Sequence, residues 1–242
     1  MSDFVDLCDL SLLYGNREVT NRYAGRDDVL VQGPGQSKVL VGAECIDEVS
    51  AKLVMDSFIG RGGNGCFSAS AAFVESPHDA FAEMVRNSLL EVYETESTMR
   101  PLIAGESYAK YLEDIHRQAS ERNGHVIHEG SDKSRKDLVR GGPVIATIDG
   151  RCGVPKRLEY PFPCVWIIRC PEGIDVEMVG DALVVSAIGV SDDLAAALLE
   201  APNISNVYLG AVPTWESHVC VPHDGFLSQF LMRAKGVIVS DG

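Results

Sequence analysis

Gly60-Arg-Gly-Gly-Asn-Gly-Cys66-Phe-Ser-Ala-Ser70 is the stretch on which the reading of this chain turns. It sets one cysteine at the end of a glycine-rich turn, directly ahead of the apolar run Ala71-Ala72-Phe73-Val74. Glycine backbone takes unusual dihedrals and allows close approach of other groups. Gly60, Gly62 and Gly65 also satisfy G-x-G-x-x-G, but a dinucleotide fingerprint needs a strand before it and a helix after it. Here the order is reversed: Ile46, Val49, Leu53 and Val54 mark a helix over 44–58, and a strand over 70–74 follows the glycines. The phosphate-cradle reading is rejected. Two readings of Cys66 stay open on the residues alone. One is a nucleophilic thiol in a loop whose amides can face a developing oxyanion; the other is a buried structural cysteine, a common state for this residue type.

The bounds from composition are ordinary. In 242 residues, 45% are hydrophobic and 23% charged, with a mean hydropathy of +0.03, the profile of a globular protein with room for one full core or two small ones. A net charge of -14 argues against nucleic acid, since no surplus of cations is left to neutralise phosphates; the cluster Lys133-Ser-Arg-Lys136 reads as a solvated loop. No apolar run approaches the roughly 20 residues that span a bilayer. The acidic start, Met1-Ser-Asp-Phe-Val-Asp6, lacks a signal peptide's basic region, so a cytoplasmic location is expected. Seven cysteines without a C-x-x-C pair suit reduced thiols.

Outward from the turn, the pattern alternates strands and helices. Strands are expected at 10–14, 29–31 and 39–41, then at 144–148, 164–169, 183–188, 206–210 and 236–239. Ser76, Pro77 and Asp79 signal a helix start, followed by Phe81, Met84, Val85, Leu89 and Val92 on one face. Tyr108, Tyr111, Leu112, Ile115 and Ala119 mark a second amphipathic helix that stops at Asn123-Gly124. His125 to His128 reads as a short strand with the two histidines on opposite faces, and 129–142 as an exposed loop. A short helix near 176–180 and one capped by Ser191 complete the set. The fold class is α/β, a mostly parallel sheet flanked by helices.

A wider set of residues resembles a known family. Gln32-Gly-Pro-Gly-Gln-Ser-Lys-Val-Leu-Val41, the helix, Gly62-Gly-Asn-Gly-Cys66 and Ala72-Phe-Val-Glu75 resemble the approach to the active-site cysteine in the aldehyde dehydrogenase superfamily. Leu158-Glu159-Tyr-Pro-Phe-Pro-Cys-Val165 resembles that family's Glu-Glu-Ile-Phe-Gly-Pro-Val segment. Order and separations suit the C-terminal, catalytic half. The resemblance implies an aldehyde-dehydrogenase-like catalytic domain over 32–242, with 1–31 a remnant of the cofactor-binding domain.

It also implies roles. Cys66 would be the nucleophile that carries a thioester, and Glu159 would hold the ribose of NAD or NADP. Gln32 stands where the family has its general-base glutamate, and an amide cannot accept a proton. That leaves acyl transfer to a thiol, with coenzyme A the acceptor in the acylating branch, a base from elsewhere, or no turnover. Gly210 replaces the asparagine of a late family segment. The expected partners are an aldehyde or acyl thioester and a chain that completes the cofactor site, or a homo-oligomer. The alternative is a non-catalytic interaction subunit of the same fold. His218, Cys220 and His223 raise a zinc question, but the spacing matches no strong motif; no metal is expected.

Overall fold

A computed structural model describes residues 2–15, 17–33, 35–76, 78–96, 101–135, 137–218, 220–223, 225–232 and 238–239. The chain forms two compact units, Met1–Pro34 with His218–Gly242, and Gly35–Ser217.

In the first unit, α1 (Ser2–Val5), β1 (Ser11–Tyr14), α2 (Arg17–Tyr23) and β2 (Val29–Gln32) follow one another, and β1 pairs with β2 in parallel. Val5, Tyr23 and Val29 form a small apolar centre with Leu13, Val19 and Val31 packed on it.

The second unit is built on an eight-stranded sheet. β3 (Ser37–Val41), β4 (Ala69–Val74), β8 (Cys164–Arg169) and β9 (Ala182–Ile188) are its centre, flanked by β10 (Ile204–Leu209) and β7 (Leu138–Asp149), with β5 (Leu102–Ala104) and β6 (His125–Arg135) on β7. The order is β10-β9-β3-β4-β8-β7-β5, parallel from β10 through to β7, with β5 and β6 antiparallel to β7. β3 and β4 are buried along their whole length, as strands covered on both faces must be. Phe58, Phe73, Phe81 and Trp166 are all fully buried.

On one face, α3 (Glu48–Ile59) and α4 (Ala80–Glu96) bury Val54, Phe58, Phe81 and Leu89 against β3, β4 and β8. The opposite face is covered by α5 (Gly105–Ser120), α6 (Val176–Val179) and α7 (Asp192–Glu200), through Tyr108, Ile115, Val179 and Leu198. Local signals set the ends. Asp47 caps α3 by accepting from the Ser50 amide at 2.9 Å, and the Ser50 hydroxyl closes a capping box. Ser191 caps α7, its hydroxyl accepting from the Leu194 amide at 3.2 Å.

Four expectations are corrected. The stretch 129–142 is not a loop: β6 and β7 form a long antiparallel hairpin through it, because backbone pairing holds even polar residues in a strand. Pairing also shifts register between Val126 and His128, so simple alternation does not place the two histidines. The helix signalled at 76–79 starts only at Ala80, since the Asp79 carboxylate accepts from Thr147 Oγ1 at 2.6 Å and pairs with Arg169 rather than capping. Pro77 lies outside the described residues, as do 236 and 237 of the strand expected at 236–239; Ile238 and Val239 are not in a strand.

Candidate functional site

The site is built around one turn. Arg61, Gly62 and Gly63 all have positive φ, at 55°, 86° and 61°. A side chain at Gly63 would also collide with the Phe58 carbonyl at 2.5 Å and with Pro163 at 2.6 Å, so glycine is required there by backbone and by packing. The Arg61 guanidinium lies over the Phe67 ring at 5.4 Å and the Trp215 ring at 5.9 Å, within cation–π range. Trp215 in turn donates to the Asp56 carbonyl at 2.9 Å at the end of α3.

Cys66 sits three residues before the start of β4, half-buried. Two bonds close the turn around it: the Gly65 amide donates to Ser68 Oγ at 3.1 Å and the Ser68 amide to the Gly65 carbonyl at 2.9 Å. Its own carbonyl accepts from Ser37 Oγ at 3.0 Å. Gly35 passes so close that a Cβ there would lie 1.9 Å from the Cys66 carbonyl oxygen. Cys164 and Cys170 are fully packed away. Burial pushes the Cys170 thiol up to about 11 and raises that of Cys164 as well, so both stay protonated and unreactive at neutral pH.

Glu159 reaches Gln36, between Gly35 and Ser37, from the segment 153–163. Its Oε1 accepts from the Gln36 amide at 2.7 Å, while Oε2 has no partner among the described residues. That segment is pinned to α5. Tyr160 donates to Asp114 at 2.8 Å and accepts from Gln118 at 3.0 Å, and Gln118 Oε1 takes the Lys156 amide at 3.0 Å. The Arg157 guanidinium lies 4.8 Å from both the Tyr111 and Tyr160 rings and donates to the Glu159 carbonyl at 3.0 Å. Burial, then the bond to Asp114, raises the Tyr160 phenol. Asp114 is pushed up by its own burial but held below its usual range by the Tyr160 and Arg117 donors.

Gly35, Gln36 and Ser37 are therefore the meeting point of Cys66 and Glu159, and no local pattern in the sequence marks the three as site residues. Lys38 belongs to the same site, a charge inside the fully buried strand β3 and 1% exposed. The Lys38 ammonium donates to the Gln36 carbonyl at 2.8 Å and the Asp181 carbonyl at 2.5 Å. Burial, partly offset by the Glu159 and Asp181 carboxylates, lowers it to about 8. A lysine in an otherwise apolar strand was the available signal.

The other candidates lie in the first unit. Gln32 is buried at the end of β2, and its side-chain carbonyl has no partner among the described residues. His218 Nδ1 accepts from the Cys220 amide at 3.2 Å, and the His223 ring packs edge-on to Tyr14 at 6.0 Å. No group of three potential metal ligands is found among the described residues.

No protein-family model matches this sequence and no curated protein is similar to it. Solved structures are similar in fold. The aldehyde dehydrogenase KauB from Pseudomonas aeruginosa superposes with a TM-score of 0.70 at 16% identity, over 93% of this chain and 49% of that one. The γ-glutamyl-γ-aminobutyraldehyde dehydrogenase of Burkholderia cenocepacia gives 0.69 at 16% identity, over 90% and 47%. A mutant 1-pyrroline-5-carboxylate dehydrogenase from Thermus thermophilus gives 0.62 at 16%, over 90% and 46%. The chain thus has an aldehyde-dehydrogenase-like fold and spans about half the length of these structures.

Proposed function

We propose that this chain is a catalytic subunit of an aldehyde-dehydrogenase-like oxidoreductase, with Cys66 the nucleophile and a partner chain supplying the remainder of the cofactor site. One observation carries the reading: Cys66 and Glu159, from separate segments, are both anchored on the Gly35–Ser37 segment that leads into β3, in a fold shared with aldehyde dehydrogenases. The Cys66 thiolate attacks the aldehyde carbon and forms a hemithioacetal; departure of that carbon's hydride leaves a thioester on the sulfur. NAD or NADP, when bound, supplies the two-electron acceptor. Glu159 fits the cofactor's ribose, because its exposed carboxylate is fixed through Oε1 and offers Oε2 to a sugar hydroxyl.

On this reading Ser37 and Gly35 hold the main chain of Cys66, a half-buried residue. Gln32 cannot activate a water by taking its proton, which leaves the acyl group to a thiol acceptor of the coenzyme A type or to water activated by a base from elsewhere. The same reaction run backwards reduces an acyl thioester. Aldehyde-dependent reduction of NAD or NADP by the assembled protein tests this: Cys66→Ala abolishes it and leaves assembly intact. Undiminished turnover in that variant would refute the assignment. Gln32 also favours a second reading, a non-catalytic interaction subunit, under which neither the parent chain nor the variant turns over in any assembly.

A further inference from the structure

Gln36 is one of three residues other than glycine with positive φ among the described residues, at 48°. A side chain is disfavoured there by about 1–2 kcal/mol, so something must hold the residue in place. Two charged side chains do. The Glu159 carboxylate takes its amide at 2.7 Å, and the Lys38 ammonium donates to its carbonyl at 2.8 Å. The flanking residues, Gly35 and Ser37, both contact the Cys66 carbonyl. Lys38 is buried in β3 and is anchored a second time by the Asp181 carbonyl just ahead of β9.

We infer that Lys38 is a positioning residue for this site: its ammonium, opposite the Glu159 carboxylate on Gln36, helps fix the Gly35–Ser37 segment against Cys66, and losing its proton loosens that segment at Gln36. The carboxylates acting on Lys38 are Glu159, from the segment before β8, and Asp181, ahead of β9; both favour the ammonium, while burial opposes it. The balance falls at about 8, so the loosening lies within the stable range of most proteins. A neutral amine still donates a hydrogen bond, but to a carbonyl it is the weaker partner, since charge-assisted bonds are roughly twice as strong. The linkage is structural, and it rests on the proposed reaction only where that segment serves catalysis.

The test is an NMR titration of the full chain carrying lysine labelled at Nζ, followed together with the Gln36 amide. The Gln36 resonance moves with the same midpoint as Lys38, near 8. Its hydrogen exchange, corrected for intrinsic pH dependence, accelerates about tenfold through that midpoint, the equivalent of one weakened bond. Lys38→Met shows the high-pH Gln36 signal at every pH. A Gln36 midpoint that does not coincide with Lys38 overturns the inference, and the unsubstituted protein alone gives that answer if the variant does not fold. Neither readout depends on turnover. Coincident midpoints in a protein whose Cys66 accepts no acyl group leave the linkage standing and remove the catalytic reading.

Discussion

Replacing Gly35 by alanine puts one methyl group where the backbone of Cys66 already is. The new Cβ would lie 1.9 Å from the Cys66 carbonyl oxygen and 2.5 Å from its carbonyl carbon and Cα, against an ordinary contact of about 3.5–4.0 Å. Backbone cannot swing aside as a side-chain tip can, so one segment must move by more than an ångström. The move breaks the Ser37 Oγ bond to that carbonyl and strains the Leu183 amide bond to the Gly35 carbonyl, now 3.0 Å and 2.8 Å. Overpacking costs about 1–3 kcal/mol and a lost hydrogen bond about 1 kcal/mol. The expected loss is about 2–4 kcal/mol in urea unfolding, with an altered alkylation rate at Cys66. Gly105→Ala is the control: it opens α5, its Cβ meets nothing closer than 3.9 Å, and it should cost nothing or stabilise slightly. A Gly35→Ala protein as stable as the control, with unchanged Cys66 reactivity, would refute the packing argument.

Two further outcomes follow from the same site. Tyr160→Phe removes the hydroxyl that joins Asp114 to Gln118 and should cost about 1–3 kcal/mol; the Asp114 carboxyl, stripped of a donor, should titrate higher by NMR, and an unmoved Asp114 would contradict its role. For Lys38, the folded value of about 8 lies below the ordinary 10.5, so between them the unfolded chain holds more protons and stability rises with pH. The rise amounts to about 3 kcal/mol, is absent in Lys38→Met, and is checked by denaturation curves across that window; parallel pH profiles for the two proteins would count against it.

What was legible in the chain was whatever local chemistry decides. The face of α5 was readable because Tyr108, Ile115 and Ala119 are spaced for one side and all are buried, and Ser191 announced the cap of α7. The α/β alternation gave the sheet, and the resemblance gave Cys66 and Glu159 as a pair. Their meeting on Gln36 was not readable, since Glu159 arrives from 123 residues away. Nor was the environment of Lys38, whose second anchor at Asp181 is 143 residues distant; a lone charge in a strand says nothing about the carbonyls that receive it. The hairpin β6–β7 escaped for the related reason that polar residues become a strand only once a partner strand satisfies their backbone. Asp79 misled because its carboxylate is spent on Thr147 and Arg169, residues no local pattern connects with it.

The most direct measurement is the acylation half-reaction, which needs no nicotinamide. The chain is incubated with p-nitrophenyl acetate, release of p-nitrophenolate is followed, and intact-protein and peptide mass spectrometry locate the acetyl group. One acetyl adduct per chain is expected on Cys66, formed ahead of the other six cysteines and missing in Cys66→Ala. Acetylation spread over exposed thiols such as Cys8, Cys152 and Cys220, with Cys66 not favoured, would contradict its assignment as the nucleophile.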